Sequence, residues 1–255
     1  MKNYLIDTHA HVDMLEDSVE DVLAEMNEHS VKKAIIPAVE IATQDKIVDI
    51  INNYDNLYGM IGLFPTETKN YSDDYERKIE EIAKNNKKIV AVGEVGLDYY
   101  WDKTFVDIQK DAFIKQIKLA NRLNLPIVVH DRDAHKDSFD IIKEHNKTSN
   151  VLFHCFSGSV EFMKECINQG WYIALGGVVT FKNGVKVKEV AKEVPLERLL
   201  LETDSPYLTP VPFRGKPNKP AYVKYVAEEI ASLRGIPLEE LMDITTQNTE
   251  RFFGI

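Results

Sequence analysis

The sequence predicts an α/β protein of the (β/α)8 barrel, or TIM barrel, class. Eight short apolar runs alternate with amphipathic stretches along the 255 residues, and runs that are apolar on both faces are typical of buried parallel strands. The ends of these runs are on average about 28 residues apart, close to one strand–helix repeat. An open doubly wound sheet competes, but it usually has a Gly-rich first turn, and here Asp7-Thr8-His9-Ala10-His11 stands there.

The individual elements follow from apolar runs and from apolar residues that recur with a period of 3.6. Strands are predicted at residues 4–6, 34–36, 58–63, 89–92, 127–129, 151–153, 171–175 and 199–201. Helices are predicted at residues 19–26, 75–83, 105–123, 138–144, 160–169, 185–194, 222–233, 238–245 and 248–253. No linker interrupts this series, so residues 1–255 are expected to form a single domain.

Composition narrows the class of protein. A 44% hydrophobic chain can build a sizeable core, and a net charge of −10 excludes a polybasic nucleic-acid binder. The two cysteines, Cys155 and Cys166, form no CxxC motif and imply no disulfide framework. The N-terminus lacks a signal-peptide core, and no apolar run approaches the ~20 residues of a membrane span. A soluble cytoplasmic protein without membrane partners is expected, and nothing implies an obligate protein partner.

Metal-binding side chains stand at the ends of five predicted strands. In a barrel, the carboxyl ends of the strands are where active sites form. Residues i and i+2 of an extended chain share a face, so His9 and His11 can reach one ion. The six candidate ligands are His9, His11, Glu94, His130, His154 and Asp204.

Four imidazoles and two carboxylates exceed what one tetrahedral zinc ion needs. They suit two divalent cations, with Glu94 bridging them, His9, His11 and Asp204 on the first, and His130 and His154 on the second. The binuclear site is therefore predicted at the carboxyl ends of the strands. Mg, Mn and Zn all remain possible. Asp204 is the candidate proton acceptor for an attacking water, and Glu94 is the second candidate catalytic residue.

Three neighbouring residues have simpler interpretations. Period 2 places Cys155 on the face opposite His154, which favours a buried thiol. Glu202 shares the face of Asp204 and is interpreted as a supporting or inner-barrel group. Asp98 either orients a ligand or caps its loop.

Cationic and aromatic residues near the strand ends could hold an anionic substrate. Arg132 comes just after His130, and a guanidinium fork matches phosphate oxygens, although Asp131 or Asp133 could neutralise it. The one basic stretch, residues 211–220, follows the last strand. Its Arg214, Lys216 and Lys219, with Lys103, could form a phosphate track or an ordinary solvated loop. The aromatic residues at 99–101 could stack on bases or pack their own loop.

Several motifs together resemble the TatD family of metal-dependent hydrolases across the whole chain. They are Asp7-Thr8-His9-Ala10-His11, Gly93-Glu94-Val95-Gly96-Leu97-Asp98-Tyr99-Tyr100, His130-Asp131-Arg132-Asp133-Ala134, Phe153-His154-Cys155-Phe156-Ser157-Gly158, Leu201-Glu202-Thr203-Asp204-Ser205-Pro206-Tyr207-Leu208 and Arg214-Gly215-Lys216-Pro217-Asn218. The family belongs to the amidohydrolase-like barrels, and described members are deoxyribonucleases, some with 3′-to-5′ exonuclease activity. The resemblance implies the same six metal ligands, and it implies Arg132, Arg214 and Asn218 as substrate-binding residues. One departure is Phe64, where many members carry a histidine.

Two enzyme functions and one non-enzymatic function follow. The first is a deoxyribonuclease that hydrolyses phosphodiester bonds of DNA, with single-stranded DNA or 3′ ends as its partner. The alternative is a metal-dependent amidohydrolase or esterase acting on a small amide, ester or lactone, which the acidic charge favours slightly. A catalytically idle binding barrel would require all six aligned ligands to be vestigial or accidental.

Overall fold

The computed structural model describes residues 2–147 and 150–255. Within those ranges eight strands alternate with helices along the chain, and all eight predicted strands are confirmed. The strands are β1 (Leu5–Asp7), β2 (Val31–Ala38), β3 (Leu57–Ile61), β4 (Ile89–Asp98), β5 (Ile127–Arg132), β6 (Val151–Phe153), β7 (Tyr172–Leu175) and β8 (Leu199–Leu201). The helices are α1 (Val19–Glu28), α2 (Gln44–Asn53), α3 (Asp73–Asn85), α4 (Val106–Leu123), α5 (His135–His145), α6 (Val160–Asn168), α7 (Val185–Glu193), α8 (Val223–Arg234) and α9 (Leu238–Phe253).

Two helices differ from the sequence-based prediction. Helix α2 is absent from that prediction, although Ile47 and Ile51 are buried at helical spacing. The prediction of separate helices at residues 238–245 and 248–253 is wrong, because α9 is continuous. Thr245 lies inside it, and its hydroxyl donates to the carbonyl of Leu241 one turn earlier (2.8 Å), which satisfies the side chain without breaking the helix.

The chain divides into two compact units, Met1–Ile36 with His154–Ile255, and Pro37–Phe153. In the first unit β1 pairs with β2, and β7 pairs with β8, both in parallel. The backbone N–H of Thr8 donates to Leu201 (3.1 Å), and Ala10 forms a parallel bridge with Ser205. Strand β1 therefore lies beside β8, and the first and last strands of the chain end next to one another.

In the second unit β3, β4, β5 and β6 pair in that order, all in parallel. Strand β4 is buried along its whole length, including the two carboxylates that it carries, Glu94 and Asp98. Helix α4 covers β4, with Phe113, Ile117 and Ala120 buried on one face. Burial on both faces is what parallel strands between helices require.

Eight strand–helix repeats, parallel pairing in both units and contact between the first and last strands confirm the (β/α)8 class. The expectation of a single domain over residues 1–255 stays a prediction. In the part of the chain that the structure describes, no helix combines the length and apolar character needed to cross a bilayer.

Gly96 offers a test of how closely β4 and β5 approach. Its φ is +147°, and a Cβ there would lie 2.0 Å from the carbonyl oxygen of His130. We expect Gly96→Ala to lower the free energy of unfolding by about 3 kcal/mol, since both the backbone and the clash resist a side chain.

Gly170→Ala is the matched control. Gly170 also has a positive φ (+80°), but among the described residues no atom beyond its chain neighbours lies within 4 Å of a Cβ added there, so about 1 kcal/mol is expected. Urea unfolding of both variants at equilibrium would measure the difference. Equal losses would show that backbone conformation alone, and not contact with β5, requires glycine at position 96.

Candidate metal centre

Backbone hydrogen bonds hold the ends of β1 and β8 in register. The N–H of Asp204 donates to His9 (2.9 Å), and the N–H of His11 donates to Ser205 (2.8 Å). Asp204 itself has φ +56°, a conformation that Asp and Asn adopt more readily than most residues. The two predicted ligands of the first strand and the carboxylate after the last strand are thus fixed beside each other by the main chain.

The carboxylate of Asp7 also holds the ends of β1 and β8 together. Its carboxylate accepts from the N–H of His9 (3.2 Å) and of Thr203 (2.9 Å), and from the hydroxyl of Thr203. Burial raises the pKa of Asp7 well above its ordinary value, although these hydrogen bonds act in the opposite direction. This role of Asp7 was not predicted from the sequence, where its signal was a carboxylate at the end of an apolar strand, two residues before His9.

His9, His11 and Asp204 form the first cluster of possible metal ligands. Oδ1 of Asp204 lies 3.6 Å from Nε2 of His11 and 3.9 Å from Nε2 of His9. Burial alone would raise the pKa of Asp204, but His11, His9 and His154 more than offset it and hold that pKa below its ordinary value. The carboxylate is therefore ionised at neutral pH, the state in which it can bind a cation.

His9 also belongs to a second cluster, with His154 and Glu202. The imidazoles of His9 and His154 are stacked, with ring centroids 4.0 Å apart and an interplanar angle of 9°. Oε1 of Glu202 accepts from the N–H of Cys155 (2.6 Å) and lies 3.5 Å from Nδ1 of His154. Glu202 is fully buried, and among the described residues its other oxygen, Oε2, has no hydrogen-bond partner.

These two clusters fit a divalent cation. In each, one donor atom per residue lies within 4.8 Å of the others. A buried carboxylate oxygen without a partner is costly unless a cation or proton satisfies it, and Oε2 of Glu202 is such an atom. Imidazole nitrogen with carboxylate oxygen is a donor set that suits zinc and manganese.

In the second unit the structure brings Glu94 and His130 together. Nδ1 of His130 lies 2.8 Å from Oε1 of Glu94, and its Nε2 lies 2.9 Å from Oδ2 of Asp98. Burial would raise the pKa of Asp98, but the hydrogen bond to His130 and those from the amides of Trp101 and Tyr100 hold it below its ordinary value. Asp98 therefore does both things that the sequence left open: it orients the imidazole, and it caps the following loop.

Phe64, the departure from the family pattern, packs against the same imidazole. Its ring is edge-on to that of His130, with centroids 4.5 Å apart. Its backbone N–H donates to Val39 (3.0 Å). The ring of Phe64 restricts the rotation of the His130 imidazole by packing against it. A histidine at position 64 would restrict it through a hydrogen bond instead.

Arg132 extends from the end of β5 and is exposed. Its guanidinium lies 3.9 Å from the centroid of the Tyr100 ring and 5.5 Å from that of Trp101. Among the described residues no carboxylate lies within the 4.0 Å of an ion pair, and the neighbouring Asp131 binds His135 instead (2.7 Å). Its charge is therefore available to an anion, and substrate binding by Arg132 stays a prediction.

The basic stretch after β8 is largely engaged with the protein itself. Arg214 donates to the carbonyl of Thr209 (3.0 Å) and stacks on Phe181 (3.9 Å to the centroid). The ammonium of Lys219 lies 2.8 Å from Glu25 and 3.0 Å from Asp17. Lys219 is thus neutralised locally, which removes it from the expected phosphate track.

Asn218 is fully buried and holds the loop after β8 together. Its amide donates to the carbonyls of Thr203 (2.8 Å) and Tyr207 (2.6 Å), and its oxygen accepts from the N–H of Lys219 (2.9 Å). The amide spans both sides of Asp204. Substrate contact by Asn218 stays a prediction, while its bracing of the segment around Asp204 is a feature of the structure.

We expect Asn218→Ala to lower the free energy of unfolding by about 3 kcal/mol, because the buried carbonyl of Thr203 and the partly buried carbonyl of Tyr207 lose their donor. Asn53→Ala is the matched control: Asn53 is exposed, and its amide makes one bond to the carbonyl of Asp49 within α2 (2.9 Å). Urea unfolding would measure both. If Asn218→Ala unfolds like the wild type and only weakens substrate binding, the residue is a ligand contact and not a brace.

Comparison with known proteins finds similarity over nearly the whole chain. A family model described as TatD related DNase matches residues 6–254. A metal-dependent hydrolase of Bacillus subtilis, YabD, is 44% identical over 254 residues, covering 98% of this chain and 99% of that protein. YcfH of Escherichia coli K12, also named a metal-dependent hydrolase, is 38% identical over 260 residues, covering 99% and 96%. The crystal structure of YjjV, a TatD homologue of Escherichia coli K12, superposes with a TM-score of 0.94 at 32% identity, covering 100% of both chains.

Proposed function

This chain belongs to the TatD-related family of metal-dependent hydrolases, and from that premise we propose that it is a deoxyribonuclease. The reaction is hydrolysis of a phosphodiester bond, with single-stranded DNA or a 3′ end as substrate and removal of nucleotides from 3′ to 5′. The observation that carries this proposal is the match to a family described as TatD related DNase over residues 6–254.

We propose that the six ligands expected from the sequence hold two divalent cations. They are His9, His11, Glu94, His130, His154 and Asp204. Glu202 supports His154 from inside the first unit and is a further candidate ligand. Bound cations of this kind lower the pKa of water and offset negative charge on a phosphoryl group.

The protein's own residues supply the remaining functions. Asp204 is held in an unusual backbone conformation between the histidines and is ionised at neutral pH, so it can orient water and accept its proton. Arg132 offers a guanidinium fork to a phosphate, which it can contact through two parallel hydrogen bonds. Arg214 is proposed as a second phosphate contact through those N–H groups that do not bind Thr209.

The test is degradation of single-stranded DNA labelled at either end by metal-stripped protein, with Mg, Mn or Zn added back. Shortening of 5′-labelled strands by single nucleotides, dependent on metal, is the expected result. Activity on a polyanion should fall as salt rises, because Arg132 and Arg214 act through charge.

The alternative substrate, a small amide, ester or lactone, is an outcome of the same experiment. Its support is the net charge of −10, which repels long polyanions away from the site. The protein would be assigned to that class if it retained metal without cleaving DNA and hydrolysed small esters. That hydrolysis would depend on metal and would not change with salt.

A further inference from the structure

Two large aromatic side chains are exposed at the end of β4. The exposed fractions are 54% for Tyr100 and 67% for Trp101. Their ring centroids lie 5.0 Å apart with an interplanar angle of 84°. Aromatic residues normally bury their rings, and an exposed pair at the strand ends where the proposed ligands stand is a candidate binding surface.

The backbone beneath these rings is fixed. Oδ1 of Asp98 accepts from the N–H of Tyr100 (2.9 Å) and of Trp101 (3.0 Å). The side chain of Gln109 in turn binds the main-chain N–H (2.9 Å) and carbonyl (3.0 Å) of Asp98. The rings are therefore presented on an ordered turn, which reduces the conformational entropy that a ligand has to remove on binding.

A cation accompanies the rings. The guanidinium of Arg132 covers one face of Tyr100 at 3.9 Å, and the N–H of Tyr99 donates to the carbonyl of Arg132 (2.9 Å), so the loop and the end of β5 are joined. Asp102, the acid next to Trp101, turns back to its own loop, where it accepts from the N–H and hydroxyl of Thr104 and faces Lys69. The surface therefore pairs aromatic rings with positive charge.

We propose that Tyr100, Trp101 and Arg132 form a stacking site for an unpaired nucleobase, with Arg132 binding the phosphate attached to it. We call these three residues the aromatic platform. A base has an aromatic face and an adjacent anion, and single-strand binding sites elsewhere combine the same two elements. A lipid or an apolar protein surface would leave the guanidinium of Arg132 without a counter-charge.

The aromatic platform also has a direct link to the proposed reaction centre. Asp98 fixes Tyr100 and Trp101 through Oδ1, while its Oδ2 lies 2.9 Å from Nε2 of His130. One buried carboxylate thus positions both the platform and a proposed metal ligand. This inference rests on the proposed nuclease function and names how that function selects single strands: the base of a duplex is stacked on its neighbours and does not offer a free face.

Tryptophan fluorescence tests the platform without cleavage. The chain has two tryptophans; Trp101 is exposed and Trp171 is 6% exposed, so a solvent-side ligand changes the emission of the first. Metal-loaded protein is titrated with a phosphorothioate oligothymidylate, with an equally long strand lacking bases, and with inorganic polyphosphate. Quenching by the oligothymidylate alone is expected, and it should vanish in Trp101→Phe. Equal quenching by the base-free strand or by polyphosphate would overturn base stacking.

Kinetics supply the second measurement. Trp101→Ala should raise KM for single-stranded DNA about tenfold to a hundredfold with kcat changed less than twofold, and Trp101→Tyr should restore most of the loss. On a strand whose 3′ terminal nucleotides are abasic, Trp101→Ala and wild type should have the same KM. The control is Ile108→Ala, which removes another exposed apolar side chain (46%), in α4.

The two measurements separate this inference from the proposed function. Cleavage of DNA that Trp101→Ala does not weaken overturns the platform and leaves the nuclease assignment intact. Absence of cleavage with any metal overturns the nuclease assignment, and the titration then decides alone: quenching that requires bases sustains the stacking site, and its absence overturns it.

Discussion

Asp204→Asn is expected to reduce hydrolysis by about a thousandfold while the protein stays folded. Asn lacks the negative charge and cannot accept a proton from water at neutral pH. It does keep the size of Asp, and it tolerates the φ of +56° at this position. The loss should therefore appear in kcat, with a circular dichroism spectrum and an unfolding midpoint close to those of the wild type.

The matched control for this variant is Asp140→Asn on α5. Asp140 is exposed, and its partner is Lys136 one turn away, a type of contact that contributes little to stability. Its replacement removes the same charge from a residue outside the six proposed ligands, so activity should be unchanged. Full activity of Asp204→Asn on any substrate of the enzyme would show that another group accepts the proton, and it would leave Asp204 at most a dispensable metal ligand.

The strand-end histidines could be predicted because two regularities of the sequence coincide. Apolar runs mark buried strands, and the residue at which such a run meets a polar side chain marks the strand end. His9, His11 and Asp204 all stand at such ends, and the structure places their donor atoms within 4.8 Å. Periodicity was sufficient here because main-chain hydrogen bonds join His9 to Asp204 and His11 to Ser205 and so hold the ends of the two strands together.

The residues that periodicity could not assign are those whose role depends on side-chain direction. Glu202 shares a face with Asp204 in the sequence pattern, but nothing there indicates that one oxygen accepts from Cys155 while the other stays without a hydrogen bond. Asn218 resembles a substrate contact by its place in a motif, yet its amide turns inward to two carbonyls. Such directions follow from tertiary packing, which a local pattern does not contain.

Helix α2 and Phe64 are two further features that depend on tertiary packing and could not be predicted from the local sequence pattern. Residues 44–53 carry polar side chains at most positions, and the apolar signal rests on a few isoleucines, so the segment does not stand out as a helix. From the sequence, Phe64 indicates only that the histidine of many family members is replaced by an apolar residue. In the structure the ring of Phe64 packs edge-on against the imidazole of His130. The phenylalanine therefore changes how the imidazole is held, and it fills the position at which many family members have a histidine.

His9→Ala is expected to weaken metal binding more than His11→Ala. His9 belongs to both clusters, with His11 and Asp204 and with His154 and Glu202, whereas His11 and Asp204 belong only to one of those two and His154 and Glu202 only to the other. A ligand whose concentration is a thousand times its Kd stabilises the folded state by about 4 kcal/mol. That corresponds to roughly 8–16 °C in Tm for a domain of this size. Zinc or manganese should give the wild type such a shift, His11→Ala a smaller one, and His9→Ala almost none.

Comparison within each variant, with chelator and with metal, separates binding from folding. His9 is fully buried, so His9→Ala also lowers the Tm of the metal-free protein by leaving a cavity, but that loss cancels when the same variant is measured with and without metal. His145→Ala at the end of α5 removes an imidazole that belongs to neither cluster and should keep the full shift. An undiminished shift in His9→Ala would contradict the assignment of both clusters at once, since each depends on that one imidazole.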